Sequence, residues 1–333
     1  MTTSTMKTLF LTRNAPTTAP QLALTTLPVP ALKPGCALVR VLYSVIHPSD
    51  RLNSQGNFPY TTFPRIPGRD YAGIVTDIMT NSEEDKAWIG KTVYGTSGPN
   101  LGFDLDGTHA QYCLLPITSL VEKPASLPTN LAATVGVPFS TAFMCLERAQ
   151  TKPSDTVLVI GSHGAVGSAA AQMAKAMGCR RVLTVARRRH PAMPDILLTP
   201  DLDFGAAILS VTDGKGIDVV IDTVGDMALM STAINNLGKR GRLAWIASPR
   251  GTANKDVTFD ALMAYRKEIT LVGVNSISPS LERMAEYFRS MSKWIDGNEL
   301  LAQKVDEFSV IPLDDAVLDG YLKPGQKTII DMS

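Results

Sequence analysis

Apolar residues in the first part of the chain occur in short runs separated by turn-forming residues. The runs favour β-structure, and no helical periodicity lies between them. Proline- and glycine-containing turn signals stand between the runs, for example at residues 33–35 and 66–68. The predicted strands cover residues 37–45, 71–77, 92–95 and 110–116. Short strands in this arrangement predict a small antiparallel, barrel-like domain over residues 1–125.

The pattern changes near residue 127, where apolar runs begin to alternate with segments of helical character. Residues 129–150 are rich in Ala, Leu and Met and predict a helix with a break at Pro138. Further predicted helices lie at residues 169–177 and 227–237. The predicted strands between and after them lie at residues 156–160, 181–185, 217–222, 242–246 and 269–274. Nearly continuous apolar strands that alternate with helices indicate a buried parallel sheet, here over residues 126–275.

The last segment, residues 276–333, combines a helix with two short strands. The helix is predicted over residues 280–294, because Leu281, Met284 and Phe288 recur at helical spacing. The strands are predicted at residues 308–311 and 327–331.

Composition narrows the functional classes. The length of 333 residues exceeds one ordinary core and suggests about two domains. A formal net charge of +1 argues against a nucleic-acid or acidic-membrane partner. No apolar run approaches the ~20 residues of a spanning helix, and no apolar leader precedes residue 14. The four cysteines are scattered, so the sequence predicts a cytoplasmic protein with free thiols.

A glycine-rich turn joins a predicted strand at residues 156–160 to a predicted helix. Gly161 would allow the tight turn, Gly164 a close approach to a pyrophosphate, and Gly167 close packing of helix on strand. The helix N-terminus would supply free N–H groups to phosphates. A flexible loop is the alternative, but strand and helix on both sides favour a dinucleotide site. The predicted contacts are Gly161, Ser162, His163, Gly164, Ala165, Val166 and Gly167. For His163, a solvent-facing side chain is as good an interpretation as a phosphate donor.

The residues after the second strand of this region point to the phosphorylated cofactor. An NAD site normally places a carboxylate there for the ribose 2′-hydroxyl, whereas an arginine suits a 2′-phosphate. Here Ala186 is followed by Arg187, Arg188 and Arg189. Arginine binds phosphate through paired N–H groups and keeps its charge. Arg187 and Arg188 therefore predict NADPH; a solvated basic loop and a nucleic-acid patch are the alternatives.

Four local motifs carry a family resemblance over nearly the whole chain. They are His47-Pro48-Ser49-Asp50, Pro67-Gly68-Arg69-Asp70-Tyr71-Ala72-Gly73, Gly107-Thr108-His109-Ala110-Gln111-Tyr112 and Asp218-Val219-Val220-Ile221-Asp222-Thr223-Val224-Gly225. With the order of segments, they resemble the medium-chain dehydrogenase/reductase superfamily, in its zinc-independent quinone oxidoreductase and enoyl reductase branch. The resemblance implies an α/β protein with a GroES-like β-barrel catalytic domain and a Rossmann domain, a doubly wound parallel sheet. It also implies that residues 276–333 return to complete the catalytic domain.

Departures from the family's motifs bear on metal and proton chemistry. Zinc-dependent relatives have Cys at the position of His47 and His at the position of Arg69, and arginine has no lone pair for a metal. The four-cysteine zinc lobe is also missing, so no metal site is predicted. Some enoyl reductases donate a proton from a tyrosine in a Q-G-x-Y-P-like stretch. Here Phe58 holds that position, and Tyr60 follows two residues later.

The resemblance also implies candidate contacts for the nicotinamide end of the cofactor. These are His47, Thr141, Ile246, Ser248, Val274 and Lys327. His47 could bind the nicotinamide ribose, donate a proton or be structural. Ser49 matches a proton-relay hydroxyl of the alcohol dehydrogenases, although a turn or helix-cap role is the simpler interpretation. The candidate catalytic residues are therefore His47, Tyr60 and Ser49.

These features predict an NADPH-dependent oxidoreductase that transfers hydride to a small molecule without zinc. Because no Lewis acid is expected, the substrate would already be electrophilic, as in a carbonyl-conjugated alkene or a quinone. Two other classes stay open: a cofactor-binding protein with a structural role, and a reductase scaffold that catalyses a non-redox cyclisation or elimination. Many relatives pair through the last strand of the nucleotide sheet, so a homodimer is also open.

Overall fold

The computed structural model describes residues 4–189, 193–323 and 325–333. Its strands, in chain order, are β1 (Thr5–Thr12), β2 (Gln21–Pro28), β3 (Cys36–Ile46), β4 (Tyr71–Met79), β5 (Thr92–Gly95), β6 (Tyr112–Pro116), β7 (Thr156–Ile160), β8 (Arg181–Ala186), β9 (Ile196–Leu197), β10 (Ile217–Asp222), β11 (Leu237–Trp245), β12 (Thr270–Gly273), β13 (Ser309–Pro312) and β14 (Thr328–Asp331).

Ten α-helices are found among the described residues. They are α1 (Pro48–Ser54), α2 (Glu83–Lys86), α3 (Thr129–Ala132), α4 (Gly136–Arg148), α5 (Ala165–Ala176), α6 (Phe204–Val211), α7 (Met227–Asn235), α8 (Ala261–Arg266), α9 (Leu281–Asp296) and α10 (Ala316–Leu322). Short 3₁₀ helices cover Ile117–Ser119 and Val305–Glu307. Within the described ranges, no helix has the length and apolar character needed to cross a membrane.

The chain divides into two compact units. Unit 1 contains the residues up to Ser140 and those from Ile277 onward, and unit 2 is the continuous segment Thr141–Ser276. The main sheet of unit 1 has the strand order β13-β14-β3-β4-β5, with β6 also paired to β3. Its strand pairs are antiparallel except β13 with β14. Val39, Val41 and Tyr71 are among the fully buried residues of its core, as expected for a curled sheet with an apolar interior.

The sheet of unit 2 is parallel, with the order β12-β11-β10-β7-β8-β9. β7 is buried along its whole length, as its Val-, Leu- and Ile-rich sequence predicts for a central parallel strand. The chain passes from β7 to β8 on one side and later returns to β10 on the other side. Such a reversal of strand order opens a crevice at the carboxyl end of β7, where ligands of doubly wound sheets bind. The glycine turn follows β7 directly.

Several details differ from the sequence predictions. The prediction of no helix between the first strands is wrong, because α1 lies between β3 and β4 and α2 between β4 and β5. Pro138 does not break a helix, because it lies in the first turn of α4, where no intrahelical N–H is needed; the interruption comes before Gly136. The helix predicted at residues 227–237 ends at Asn235, and β11 begins at Leu237, which pairs with Ile217. The strands β1 and β2 were not predicted, although they form a regular antiparallel pair.

Candidate functional site

The glycine turn of unit 2 has a backbone that only glycine tolerates at its first position. Gly161 has φ +83°, and a Cβ there would lie 2.5 Å from Thr223 Oγ1. Thr223 Oγ1 is itself fixed, because it donates a hydrogen bond to the Ile160 carbonyl at 2.8 Å. The segment after β10 therefore packs directly against the turn.

The other two glycines set the geometry of the helix that follows. A Cβ at Gly167 would lie 2.2 Å from the Gly161 carbonyl oxygen, so only glycine allows α5 to pack this closely on the turn. Gly164 is the N-cap of α5 and supplies no side-chain cap. The first-turn N–H groups, which begin at Ala165 and Val166, thus have no side-chain acceptor at the cap. An anion such as a pyrophosphate is the natural partner for such groups.

Ser162 and His163, in the same turn, have different surroundings. Ser162 is buried, and its hydroxyl donates to the Val185 carbonyl at 3.2 Å, so it holds the turn against β8. His163 Nδ1 is buried and has no hydrogen-bond partner among the described residues. Buried polar atoms normally have a partner, so this nitrogen fits a turn that a ligand completes.

The first arginine after β8 meets an acidic side chain from another segment. Arg187 is exposed, and its Nη2 lies 3.6 Å from Oδ2 of Asp226, the N-cap residue of α7. Arg188 is also exposed. No sequence motif pairs Asp226 with this site, because only the strand order brings the end of β8 and the start of α7 to the same edge of the sheet.

Three of the predicted nicotinamide contacts lie together in unit 2. Ile246, Ser248 and Val274 line one cavity of about 320 Å³ at the carboxyl ends of β11 and β12. Arg148 and Trp245 line the same cavity and were not predicted. The cavity therefore combines an aromatic residue, aliphatic and polar residues and one cation.

Two further polar groups of unit 2 are buried without complete hydrogen bonding. The Thr141 hydroxyl has no partner within the part of the chain that is described. Asp222 accepts hydrogen bonds at Oδ1 from the main-chain N–H groups of Val224 and Gly225, whereas its Oδ2 has no partner there. Burial raises the pKa of Asp222, and the two N–H donors oppose that shift. With His163, these atoms indicate that the described side chains fit a dinucleotide that supplies the missing partners.

In unit 1, His47 and Asp70 form a buried pair. His47 Nε2 lies 2.5 Å from Asp70 Oδ2, and the main-chain N–H of His47 donates to Asp50 at 2.7 Å. Asp70 also accepts the Val137 N–H at the start of α4, at 2.8 and 3.0 Å. A Cβ at Gly136 would lie 2.3 Å from Asp70 Cγ, so the carboxylate reaches this helix end only beside glycine. Asp70 thus joins three separate segments of the chain.

The electrostatics of this pair favour a charged imidazole. Burial alone would lower the pKa of His47, but the attraction and hydrogen bond of Asp70, with a contribution from Asp50, outweigh it. The pKa of His47 is therefore raised above its ordinary value.

Arg69 is fully buried in unit 1. Its Nε and Nη2 donate to the Ser97 carbonyl at 3.2 and 2.6 Å, and its guanidinium lies 5.8 Å from the centre of the Phe103 ring. The side chain cannot serve as a metal ligand. Across the described ranges, no group of three or more His, Cys, Asp or Glu side chains is placed to hold a metal ion.

The predicted proton donor Tyr60 belongs to a cluster of three aromatic rings. Phe58, Tyr60 and Phe103 have ring centres 5.3–5.6 Å apart. Tyr60 is 44% exposed, so its side chain is accessible to a ligand from solvent. Burial of the ring raises the pKa of Tyr60, and the nearby Arg69 charge partly offsets this. Tyr60 is therefore protonated throughout the neutral range.

The last two predicted residues differ in what they offer a ligand. The Ser49 hydroxyl is buried without a partner among the described residues. It lies near the start of α1 but is not the N-cap, which is His47. Lys327 Nζ forms an ion pair with Glu307 at 2.7 Å and lies 5.8 Å from the centre of the Phe308 ring. A cofactor contact from Lys327 would have to compete with that pair.

Comparison with known proteins places this geometry in a family. The model of the alcohol dehydrogenase GroES-like domain matches residues 33–125, and that of the zinc-binding dehydrogenase family matches residues 165–295. A zinc-type alcohol dehydrogenase-like protein of Schizosaccharomyces pombe is 40% identical over 298 residues, which cover 89% of this chain and 86% of the relative. Human quinone oxidoreductase is 26% identical over 267 residues, covering 78% of this chain and 77% of that protein.

A solved structure agrees over the full length. The crystal structure of an alcohol dehydrogenase superfamily protein from Novosphingobium aromaticivorans has a TM-score of 0.82 and 25% identity, and covers 99% of this chain and 100% of its own. The predicted fold, a GroES-like domain with a Rossmann-type parallel sheet, is confirmed. The chain belongs to the medium-chain dehydrogenase/reductase superfamily of NAD(P)-dependent oxidoreductases.

Proposed function

We propose that this protein uses NADPH to reduce a carbonyl-conjugated alkene or a quinone, without zinc. One observation carries the proposal. The two positions where zinc-dependent relatives place ligands hold Arg69, which donates to Ser97, and His47, whose Nε2 is bound to Asp70. The nucleotide-binding turn, in contrast, keeps each glycine that its geometry requires.

The residues of unit 2 provide the proposed cofactor site. NADPH, when bound, supplies the hydride. The N–H groups at the start of α5 and His163 would hold the pyrophosphate, and Arg187 and Arg188 the 2′-phosphate. Ile246, Ser248 and Val274 would bind the nicotinamide end in their shared cavity.

The proposed substrate class follows from the proposed absence of a metal Lewis acid. Without a metal to polarise it, a simple ketone or alcohol is a poor hydride partner, whereas an enone or quinone spreads the new charge onto oxygen. That oxygen needs hydrogen-bond donors and finally a proton. Tyr60 is exposed and protonated, so we assign it the role of proton donor. The buried His47 would position the cofactor ribose.

The decisive experiment follows NADPH absorbance with purified protein against enals, enones, enoyl thioesters and quinones. Turnover of any member supports the reductase, and the ranking narrows the substrate. Binding of NADPH without consumption by any member would exclude it. A reactive polyene or quinone methide would then test for cyclisation without cofactor turnover.

Single substitutions separate the two roles assigned above. Tyr60→Phe keeps the ring contacts and is expected to lower kcat about ten- to a hundred-fold, with NADPH affinity unchanged. His47→Gln is expected to weaken NADPH binding. Tyr265→Phe, which alters an exposed tyrosine of unit 2, is the matched control and should change neither quantity. A Tyr60→Phe enzyme with full kcat would move the donor role to His47 or water.

We expect purified protein to contain no stoichiometric zinc. Arg69 has no lone pair, and His47 Nε2 already has a carboxylate partner. Elemental analysis measures the content directly, and activity after dialysis against a chelator should be unchanged. One bound zinc per chain that activity requires would contradict the zinc-independent mechanism.

Charge reversal at the arginines should remove the preference for NADPH. We expect the unaltered protein to bind NADPH at least about ten-fold more tightly than NADH, which corresponds to about 1.4 kcal/mol. Arg187→Glu with Arg188→Glu should abolish that difference, measured by calorimetric titration of both cofactors. Lys215→Glu with Arg266→Glu makes the same change in net charge at other exposed positions of unit 2 and should preserve it. Equal affinities in the unaltered protein would remove the 2′-phosphate assignment.

A further inference from the structure

Asp226 uses its two carboxylate oxygens for different purposes. Oδ1 accepts the main-chain N–H groups of Ala228 and Leu229 at 3.0 and 3.1 Å and so caps α7. Oδ2 faces Arg187, at 3.6 Å from Nη2. That distance is too long for a hydrogen bond, so the oxygen still has capacity for a hydroxyl donor.

The fold places this pair beside the glycine turn. β8 lies on one side of β7 and β10 on the other, so the ends of both strands flank the turn. The approach is close, because a Cβ at Gly161 would lie 2.5 Å from Thr223 Oγ1 and 2.7 Å from Val224 Cγ2. Asp226 follows Val224 by two positions. A ribose attached to a phosphate on the turn would therefore be within reach of Asp226 and Arg187.

We propose that Arg187 and Asp226 together read the 2′ substituent of the adenosine ribose, a step that rests on the dinucleotide site of the proposed function. With a 2′-phosphate, Arg187 leaves Asp226 and binds the phosphate. With a 2′-hydroxyl, Asp226 Oδ2 accepts its hydrogen bond, as the carboxylate after the second strand does in NAD-dependent enzymes. The carboxylate that the sequence lacks after β8 is thus supplied from the start of α7.

The ion pair between Arg187 and Asp226 is weak enough for such an exchange. The Arg187 and Asp226 side chains are 68% and 38% exposed, and exposed ion pairs change equilibria by less than about five-fold. Arg187 can therefore leave at small cost. Asp226 then lies near a phosphate of the same sign and weakens its binding. Asp226 reduces the preference for NADPH that the arginines alone would give.

Two fragments of the cofactor test this without any catalytic step. Adenosine 2′,5′-bisphosphate carries the 2′-phosphate and 5′-AMP the 2′-hydroxyl, and calorimetry with the full chain measures both affinities. Asp226→Asn keeps an oxygen to cap α7 but removes the charge. We expect it to bind the bisphosphate about three- to ten-fold more tightly and 5′-AMP about two- to five-fold more weakly. The gain for the bisphosphate should shrink at high salt, because screening weakens exposed charges.

Two other variants complete the test. Arg187→Gln should weaken the bisphosphate at least about ten-fold and leave 5′-AMP unchanged. Asp203→Asn is the matched control: Asp203 caps α6 through Oδ1, at 2.9 Å from the Ala206 nitrogen, and has no arginine partner among the described residues. It should change neither affinity.

The outcomes also separate this inference from the proposed function. If Asp226→Asn binds both fragments as tightly as the unaltered protein does, or binds both more weakly, the proposed recognition of the 2′ substituent by Arg187 and Asp226 is overturned. Failure of both fragments to bind the unaltered chain would overturn it together with the dinucleotide site. Fragment binding as expected, without turnover of NADPH on any substrate, would leave the inference standing and remove only the reductase.

Discussion

Replacing Asp70 by alanine is expected to lower the free energy of unfolding of unit 1 by about 3–5 kcal/mol, the usual effect of removing one partner from a buried pair. The substitution leaves His47 without its carboxylate and the Val137 N–H without its acceptor. It also removes the negative charge that most favours the buried Arg69 cation. Denaturant titration followed by an optical probe of unit 1 measures the loss.

Glu122→Ala is the matched control for this prediction. Glu122 pairs with Lys91 at 2.9 Å, but both side chains are exposed, so its removal should cost less than about 1 kcal/mol. Equal costs for the two substitutions would show that Asp70 contributes no more than a surface pair.

The same pair predicts a direction for pH dependence. The pKa of His47 is raised in the folded protein, so its pairing with Asp70 stabilises fully below the ordinary histidine pKa of about 6.5. That stabilisation is lost as pH rises through the raised pKa. The stability difference between the unaltered protein and Asp70→Ala should therefore narrow with increasing pH. A difference that widens would mean that the imidazole is neutral in the pair.

Gly167→Ala is expected to weaken NADPH binding by at least about a hundred-fold, or about 2.7 kcal/mol. The new Cβ would lie 2.2 Å from the Gly161 carbonyl oxygen, so either α5 or the turn must shift. A shift misaligns the N–H groups that would hold the pyrophosphate. Fluorescence or calorimetric titration gives the affinity, and circular dichroism checks that unit 2 remains folded.

Gly178→Ala provides the comparison for that substitution. Gly178 has φ +75°, but a Cβ there meets nothing within 4 Å. Alanine at this position adds backbone strain of about 1 kcal/mol without overlap. NADPH affinity should stay within about three-fold of the unaltered protein. If Gly167→Ala behaves in the same way, the turn does not hold the pyrophosphate.

Local signals explain which features the sequence could predict. β7, the glycine turn and α5 were evident because apolar β-formers, glycines and alanines follow one another without a gap. β1 was missed because threonine and lysine interrupt its apolar residues near the chain start. The predicted helix break at Pro138 is wrong because a proline inside a helical pattern can mark either a break or the first turn of a helix.

Contacts between distant segments explain which site residues the sequence does not predict. The resemblance drew attention to Arg69 and His47, but not to Asp70 as the partner of His47 and Val137, since these residues come from separate segments. Asp226, the N-cap residue of α7, stands out by no sequence motif. Its position beside Arg187 depends on strand order, and residue spacing does not reveal that order.

The position of β14 has a consequence for how the protein forms during synthesis. β14 lies between β13 and β3, so the main sheet of unit 1 lacks an interior strand until Thr328–Asp331 have left the ribosome. Unit 2 is one continuous segment that emerges earlier and can fold first. Until β14 has emerged, residues 43–46 of β3 present an unpaired edge, the kind of surface that chaperones protect and that aggregation exploits. Nascent-chain experiments should therefore find unit 2 protease-resistant while unit 1 is still open.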